Sequence, residues 1–290
     1  MDVRAQLRQY LEQRRDAGDQ ELVLDSMSVE EVMRLLGALK NRPVETVVPV
    51  PVTPRQSAPP PPALAVPVAS ASAPPLPIVA GGEPIVIGST RAELFGGGPH
   101  AGLATLDDVA AAATACTRCS LYKTATHCVP GEGSPHAKLV CVGEAPGETE
   151  DQTGRPFVGK AGQLLTKILA AIDVKREDAF IVNVLKHRPP GNRNPLPDEV
   201  AACSPFLVRQ IELLRPKVIL ALGTFAAQTL LESKLSIGKL RGTIHRYYGV
   251  PLIVTYHPAA LLRNPGWKRP AWEDVQQARR LLDDNAPDGA

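Results

Sequence analysis

Four apolar runs in this 290-residue chain each end in residues able to do chemistry. The first ends in Gly143-Glu-Ala-Pro-Gly147, and the second closes on Asn183, with Lys186-His-Arg-Pro-Pro190 after it. The third ends in Gly223-Thr224 and the fourth in His257-Pro258. Glycines, a carboxylate, an amide and an imidazole are therefore expected at matching places. Each alone is an ordinary loop residue; all four together mark an active site. A second constellation is Cys116-Thr-Arg-Cys119, a spacing that suits a metal ion or redox work. Five cysteines, an odd number, argue against a disulfide framework and for a metal site or buried thiols. Cys141, set between Val140 and Val142, reads as a core thiol.

The elements that would position these residues follow from the apolar pattern. Residues 138–143, 179–185, 217–223 and 250–256 are continuously apolar and rich in Val, Ile and Leu, as strands buried on both faces are. Helical segments are expected at about 160–172, 197–214, 224–232 and 271–284. Strand–helix alternation predicts an α/β fold with a parallel sheet between helix layers. Its site should lie at the carboxyl ends of the strands.

The rest of the chain differs in kind. Residues 43–99 hold 14 of the 29 prolines and only five charged residues, which excludes a single 290-residue globule. The expected organisation is a short helical hairpin over 1–42, a Pro/Ala-rich disordered linker over 43–100, a catalytic domain over 101–285 and a disordered tail over 286–290. The hairpin rests on Val3, Leu7 and Leu11, then on the capping pattern Ser28-Val-Glu-Glu31 with Val32, Leu35, Leu36 and Leu39. Too short for a core of its own, it suits docking to a partner. Residues 1–100 carry nine Lys/Arg against 11 Asp/Glu, net −2, and residues 101–290 carry 23 against 19, net +4. A mildly basic domain permits nucleic-acid binding without demanding it. No run of 18 or more apolar residues occurs, so no spanning helix is expected. The charged start MDVRAQLRQYLEQRR lacks a signal core, so a cytoplasmic, nucleoid-associated and monomeric protein is expected.

Residues 113 to about 283 resemble the family 4, iron–sulfur uracil-DNA glycosylases. The motifs that carry the resemblance are Cys116-Thr-Arg-Cys119, Gly143-Glu-Ala-Pro-Gly-Glu-Thr-Glu-Asp151, Arg155-Pro-Phe-Val-Gly159, Asn183-Val-Leu-Lys186, Arg188-Pro-Pro-Gly-Asn-Arg193, Cys203 and His257-Pro258. The resemblance implies a three-layer fold with a four-stranded parallel sheet. It implies a monofunctional enzyme that flips uracil out of DNA, hydrolyses its N-glycosidic bond and so initiates base-excision repair, with a repair or replication protein as the expected partner of residues 1–42. It implies Gly143, Glu144, Glu150, Phe157, Asn183 and His257 around the uracil. Asn183 would read the O4 and N3–H edge, Phe157 would stack on the base, and His257 would donate to O2. Glu144 would orient water, because the position held by an aspartate in the strongest catalysts is Ala145 here. Glu150 would exclude a thymine methyl, with Asp151 able to share either acidic task. Leu261 or Leu262 would wedge into the base stack. Lys186, Arg188, Arg193, Arg263, Lys268 and Arg269 would pair with phosphates.

The resemblance also implies a [4Fe–4S] cluster, with one departure. Where family members carry a third cysteine, this chain has His187. The expected ligands are Cys116, Cys119, His187 and Cys203, with Cys128 as the alternative fourth ligand and zinc as the alternative occupant. Two other functions compete with uracil excision. One is a superfamily enzyme for other deaminated bases, or one that becomes joined to the abasic sugar. The other is a non-catalytic iron–sulfur protein that binds DNA.

Overall fold

A computed structural model describes residues 82–88, 90 and 100–284. The expected hairpin, most of the expected linker and the tail lie outside the described residues. The four apolar runs form the centre of one sheet: β3 (Leu139–Gly143), β4 (Phe180–Asn183), β5 (Val218–Leu222) and β7 (Val250–Thr255). They are mutually parallel, in the order β7-β5-β3-β4.

The sheet is wider than the four strands expected. Among the described residues it has seven strands, β1-β6-β7-β5-β3-β4-β2. The added ones are β1 (Val86–Ile87), β2 (Glu132–Gly133) and β6 (Ile244–Tyr247). β6 and β2 run antiparallel to their inner neighbours. The end of the expected linker belongs to this sheet. Ile85 N donates to the buried His245 Nδ1 at 3.0 Å, and Arg246 N donates to Ile85 O at 2.9 Å. A backbone tied at both its donor and its acceptor is not a free tether.

Alternation along the central strands builds the two cores. Val140, Val142, Val182, Ile219, Ala221, Leu252 and Val254 face α4 (Pro197–Leu214) and α5 (Thr224–Leu230). Leu139, Cys141, Ile181, Leu220, Leu222 and Ile253 face α3 (Lys160–Ala170) and α8 (Lys268–Asp283). Each fully buried aliphatic side chain contributes about 1.5–3 kcal/mol, enough to fix a strand with apolar residues on both sides. α1 (Leu106–Thr114) packs on α4 through Val109, Ala113 and Phe206. Thr105 starts α1 with a reciprocal cap: its Oγ1 accepts from Asp108 N, and Asp108 Oδ2 accepts from Thr105 N. Three short helices complete the order, α2 (Glu148–Thr153), α6 (Ile237–Leu240) and α7 (Pro258–Arg263). Among the described residues no helix is long and apolar enough to cross a membrane.

Candidate active site

After β3 the chain turns to β4 on one side, then crosses to β5 on the other. Ligands of open α/β sheets bind where connections diverge in this way. Two glycines stand there. A methyl group on Gly143 would lie 2.3 Å from Asn183 Oδ1 and 2.6 Å from Phe157 Cζ. Gly223, at φ +93°, would place one 2.9 Å from His257 Cβ. The missing side chains let Asn183, Phe157 and His257 gather over the strand ends.

Asn183 is the register partner of Gly143. It is 1% exposed, and its Oδ1 has no hydrogen-bond partner. Such a buried acceptor costs about 1–3 kcal/mol. It is the kind of deficit a ligand's N–H would remove.

Phe157 is buried, with its backbone at φ +50°. That region costs a bulky residue about 1 kcal/mol or more and persists only when its surroundings impose it. They do so here. Glu150 Oε1 accepts Val158 N and Gly159 N, each at 2.9 Å. Arg176 Nη2 donates to Pro156 O at 2.7 Å. Gly162, in α3, lies so close that a methyl on it would sit 1.7 Å from Phe157 O.

His257 caps α7, its Nδ1 accepting Ala259 N at 3.1 Å. The ring proton therefore resides on Nε2. Burial of the ring, and next the charge of Arg263, push its pKa down to about 4, against the opposing pull of Glu150. The imidazole is neutral near pH 7 and offers Nε2–H as its donor. Its centroid lies 5.5 Å from that of Phe157, the planes tilted by 34°. Glu144 follows Gly143, half-buried, and burial raises its carboxyl pKa. The pairs Val184 N to Gly143 O and Leu185 N to Glu144 O, both 3.0 Å, carry the β3–β4 ladder past the strand ends and hold Glu144 beside Asn183.

Several expected site residues stand elsewhere or do something else. Glu150, expected to exclude a thymine methyl, holds the Phe157 loop through its Oε1. Asp151 is buried, and its Oδ1 accepts Thr126 N at 2.8 Å and His127 N at 3.3 Å. Lys186 cannot reach a phosphate. It is 1% exposed, and its Nζ donates to Asn183 O and Gln210 Oε1, both at 2.8 Å. Burial lowers its pKa to about 7, partly offset by Cys203 and Cys128. Arg193 is held by the buried Glu199 through two bonds of 2.9 and 2.6 Å, so its charge is spent inside the loop. Leu261 is 2% exposed and cannot be a wedge, whereas Leu262 beside it is 46% exposed. Arg188 is half-buried and donates to Asn192 Oδ1 at 2.7 Å, while Arg263, Lys268 and Arg269 are exposed. Sequence reasoning missed Gln210, Arg176 and Gly162. Only the last left a signal: a glycine inside a helical pattern marks a close approach.

Three of the cysteines lie near one another beside this site. Cys116 and Cys119 follow the end of α1, and Cys203 is buried on α4. The Cys203 thiol accepts the backbone N–H of Lys186 and interacts with both Cys119 and Cys116; burial pushes its pKa up to about 11. Such N–H···S bonds are what iron–sulfur proteins supply to ligating sulfurs, so these three residues fit a cluster. Cys141 is wholly buried in β3, where burial pushes its thiol up to about 12. Among the described residues no three His, Cys, Asp or Glu side chains converge closely enough to hold one metal ion.

The chain is similar to several known proteins. The family model "Uracil DNA glycosylase superfamily" matches residues 130–276. The type-4 uracil-DNA glycosylase of Archaeoglobus fulgidus is 44% identical over 191 residues, covering 63% of this chain and 96% of the relative. That of Thermotoga maritima is 47% identical over 171 residues, covering 58% and 89%. A type-5 uracil-DNA glycosylase of Pyrobaculum aerophilum is 32% identical over 155 residues, covering 48% and 68%.

Proposed function

The chain belongs to the uracil-DNA glycosylase superfamily, and on that premise we propose that it is a monofunctional glycosylase that removes uracil flipped out of DNA, opening base-excision repair. The observation that carries the reading is the lone Asn183 Oδ1. Uracil brings a donor to that atom, its N3–H, while its O4 can accept from the Asn183 amide nitrogen. Cytosine brings an acceptor at N3 and leaves the deficit in place, at a cost of about 1–3 kcal/mol.

Each neighbour then has a task. Phe157 stacks on the base, a contribution of about 1–3 kcal/mol. As the glycosidic bond breaks, the electron pair leaves with uracil and charge gathers on O2. The Nε2–H of neutral His257 stabilises it without itself becoming charged. Water attacks the sugar carbon and needs an acceptor to orient it. Ala145 offers none, and Glu144 is the carboxylate beside the strand end. Leu262 is suited to fill the gap left by the base, and Arg188, Arg263, Lys268 and Arg269 to pair with phosphates. Cys116, Cys119 and Cys203 would hold a [4Fe–4S] cluster whose work is structural: it joins the end of α1 to α4 beside the Lys186 that binds Asn183 O.

Release of uracil from single- and double-stranded oligonucleotides tests the reading. Wild-type chain should release uracil and leave cytosine. Asn183→Ala should lose about 10- to 100-fold in kcat/KM, in line with a buried hydrogen bond of 1–3 kcal/mol. No release from either substrate at any salt concentration would end the proposal. A more distant variant separates loop geometry from chemistry. Gly162→Ala touches no reacting group, yet it should displace Phe157 and slow release about 10²-fold. An unchanged rate would show that the Phe157 loop is not held as described.

A further inference from the structure

We infer that Cys128, and not His187, supplies the fourth thiolate to the metal centre of Cys116, Cys119 and Cys203, an assignment that rests on reading that centre as a [4Fe–4S] cluster. Three contacts bring Cys128 there. Val129 N donates to Lys186 O at 2.7 Å, drawing residue 128 alongside Lys186, whose own N–H is taken by Cys203. Thr114, the last residue of α1 and two before Cys116, is a side-chain neighbour of the Cys128 thiol. Cys116 and Cys128 pack against the same apolar patch of Val109, Ala113 and Phe206. Cys128 and Cys116 thus share one wall, while Cys128 and Cys203 share Lys186 as a neighbour.

His187 has other company. The charged neighbour acting on it is Asp151, on α2. Asp151 is in turn bound to the backbone of Thr126 and His127, and its carbonyl to His127 Nδ1 at 2.8 Å. The charge acting on the His187 imidazole thus comes from α2, whereas the thiol arriving from the 124–129 loop shares its neighbours with Cys116 and Cys203. The chemistry agrees. Soft thiolates are the ordinary ligands of iron–sulfur clusters, and four of them suit a cubane. Four thiolates leave the cluster with net negative charge, and the charge of the Lys186 amine acts on both Cys128 and Cys203 to offset it.

Four full-length chains purified without oxygen test the assignment: wild type, Cys128→Ala, Cys128→Ser and His187→Ala. Iron and acid-labile sulfide are measured, with paramagnetic resonance before and after dithionite reduction. Wild type and His187→Ala should each hold about four irons and four sulfides with the same signal. Cys128→Ala should lose the cluster or fall to about three irons, with the resonance of an oxidised three-iron centre. Cys128→Ser keeps a ligand at the same place and should retain iron with altered resonance and a shifted potential. That change would not follow from a packing role. Full iron and an unaltered spectrum in Cys128→Ala, or cluster loss in His187→Ala, would overturn the assignment. Uracil release is assayed on the same samples. A wild-type chain that releases uracil with neither iron nor sulfide overturns the cluster and leaves the glycosylase reading standing. One that binds the cluster yet releases no uracil does the reverse.

Discussion

Gly143→Ala should slow single-turnover uracil release by about 10²-fold or more, the size expected when reacting groups are misplaced by an ångström. The new methyl would sit 2.3 Å from Asn183 Oδ1 and 2.6–2.7 Å from the Phe157 ring. Neither can withdraw and still serve. Asn183 is buried at the end of β4, opposite Gly143 itself, so its amide can yield only by turning away from the place where a base would be read. Phe157 is fixed by Glu150, Arg176 and the close approach of Gly162. The methyl therefore occupies space between the atom that would read N3–H and the ring that would stack. Overpacking of this kind also costs about 1–3 kcal/mol of stability, so the measurement belongs well below the melting temperature. Release within a few-fold of wild type would mean that uracil does not bind over Gly143.

His257→Ala should lower kcat by about 10²–10³-fold, as loss of one donor to a developing anion does, with little change in KM. The pH behaviour carries a second signature. The folded pKa of about 4 lies below the ordinary 6.5. The folded ring therefore refuses a proton that the unfolded chain accepts. Its contribution to stability is whole above about pH 6.5 and is lost progressively as pH falls toward 4. In His257→Ala that part of the stability profile should flatten. Nitrogen-15 resonance should show the Nε2-protonated tautomer down to about pH 5. A ring that titrates near 6.5 would show that it is solvated and not placed against a leaving group.

Much of this architecture follows from side-chain pattern alone. The four central strands stand out because Val, Ile and Leu occupy both faces of each. At or just past their ends stand Gly143, Asn183, Gly223 and His257, so the same pattern locates the site. The three outer strands carry no such pattern. β1 is two residues within a proline-rich stretch, and Ile85 just before it is held by His245, 160 positions away. Lys186 was misread for a related reason. A lysine after a strand normally reaches water, and here its partners are a carbonyl three residues back and Gln210 on another helix. Leu261 and Leu262 are adjacent, so only the phase of α7 tells which is covered. Glu150 was recognised as a site residue, but sequence does not disclose that its oxygen is taken by two backbone amides. In each case the deciding fact is a contact or a helix phase that residue type and spacing do not encode.

The unmatched Asn183 oxygen has a thermodynamic counterpart. A small planar imide that donates into it should lend the ligand-free enzyme extra resistance to heat. Free uracil at 100 times its dissociation constant would raise unfolding free energy by about 2.7 kcal/mol. The product of one turnover would thus act as a brake on the next, and cytosine, lacking that N–H, should leave the melting curve where it was.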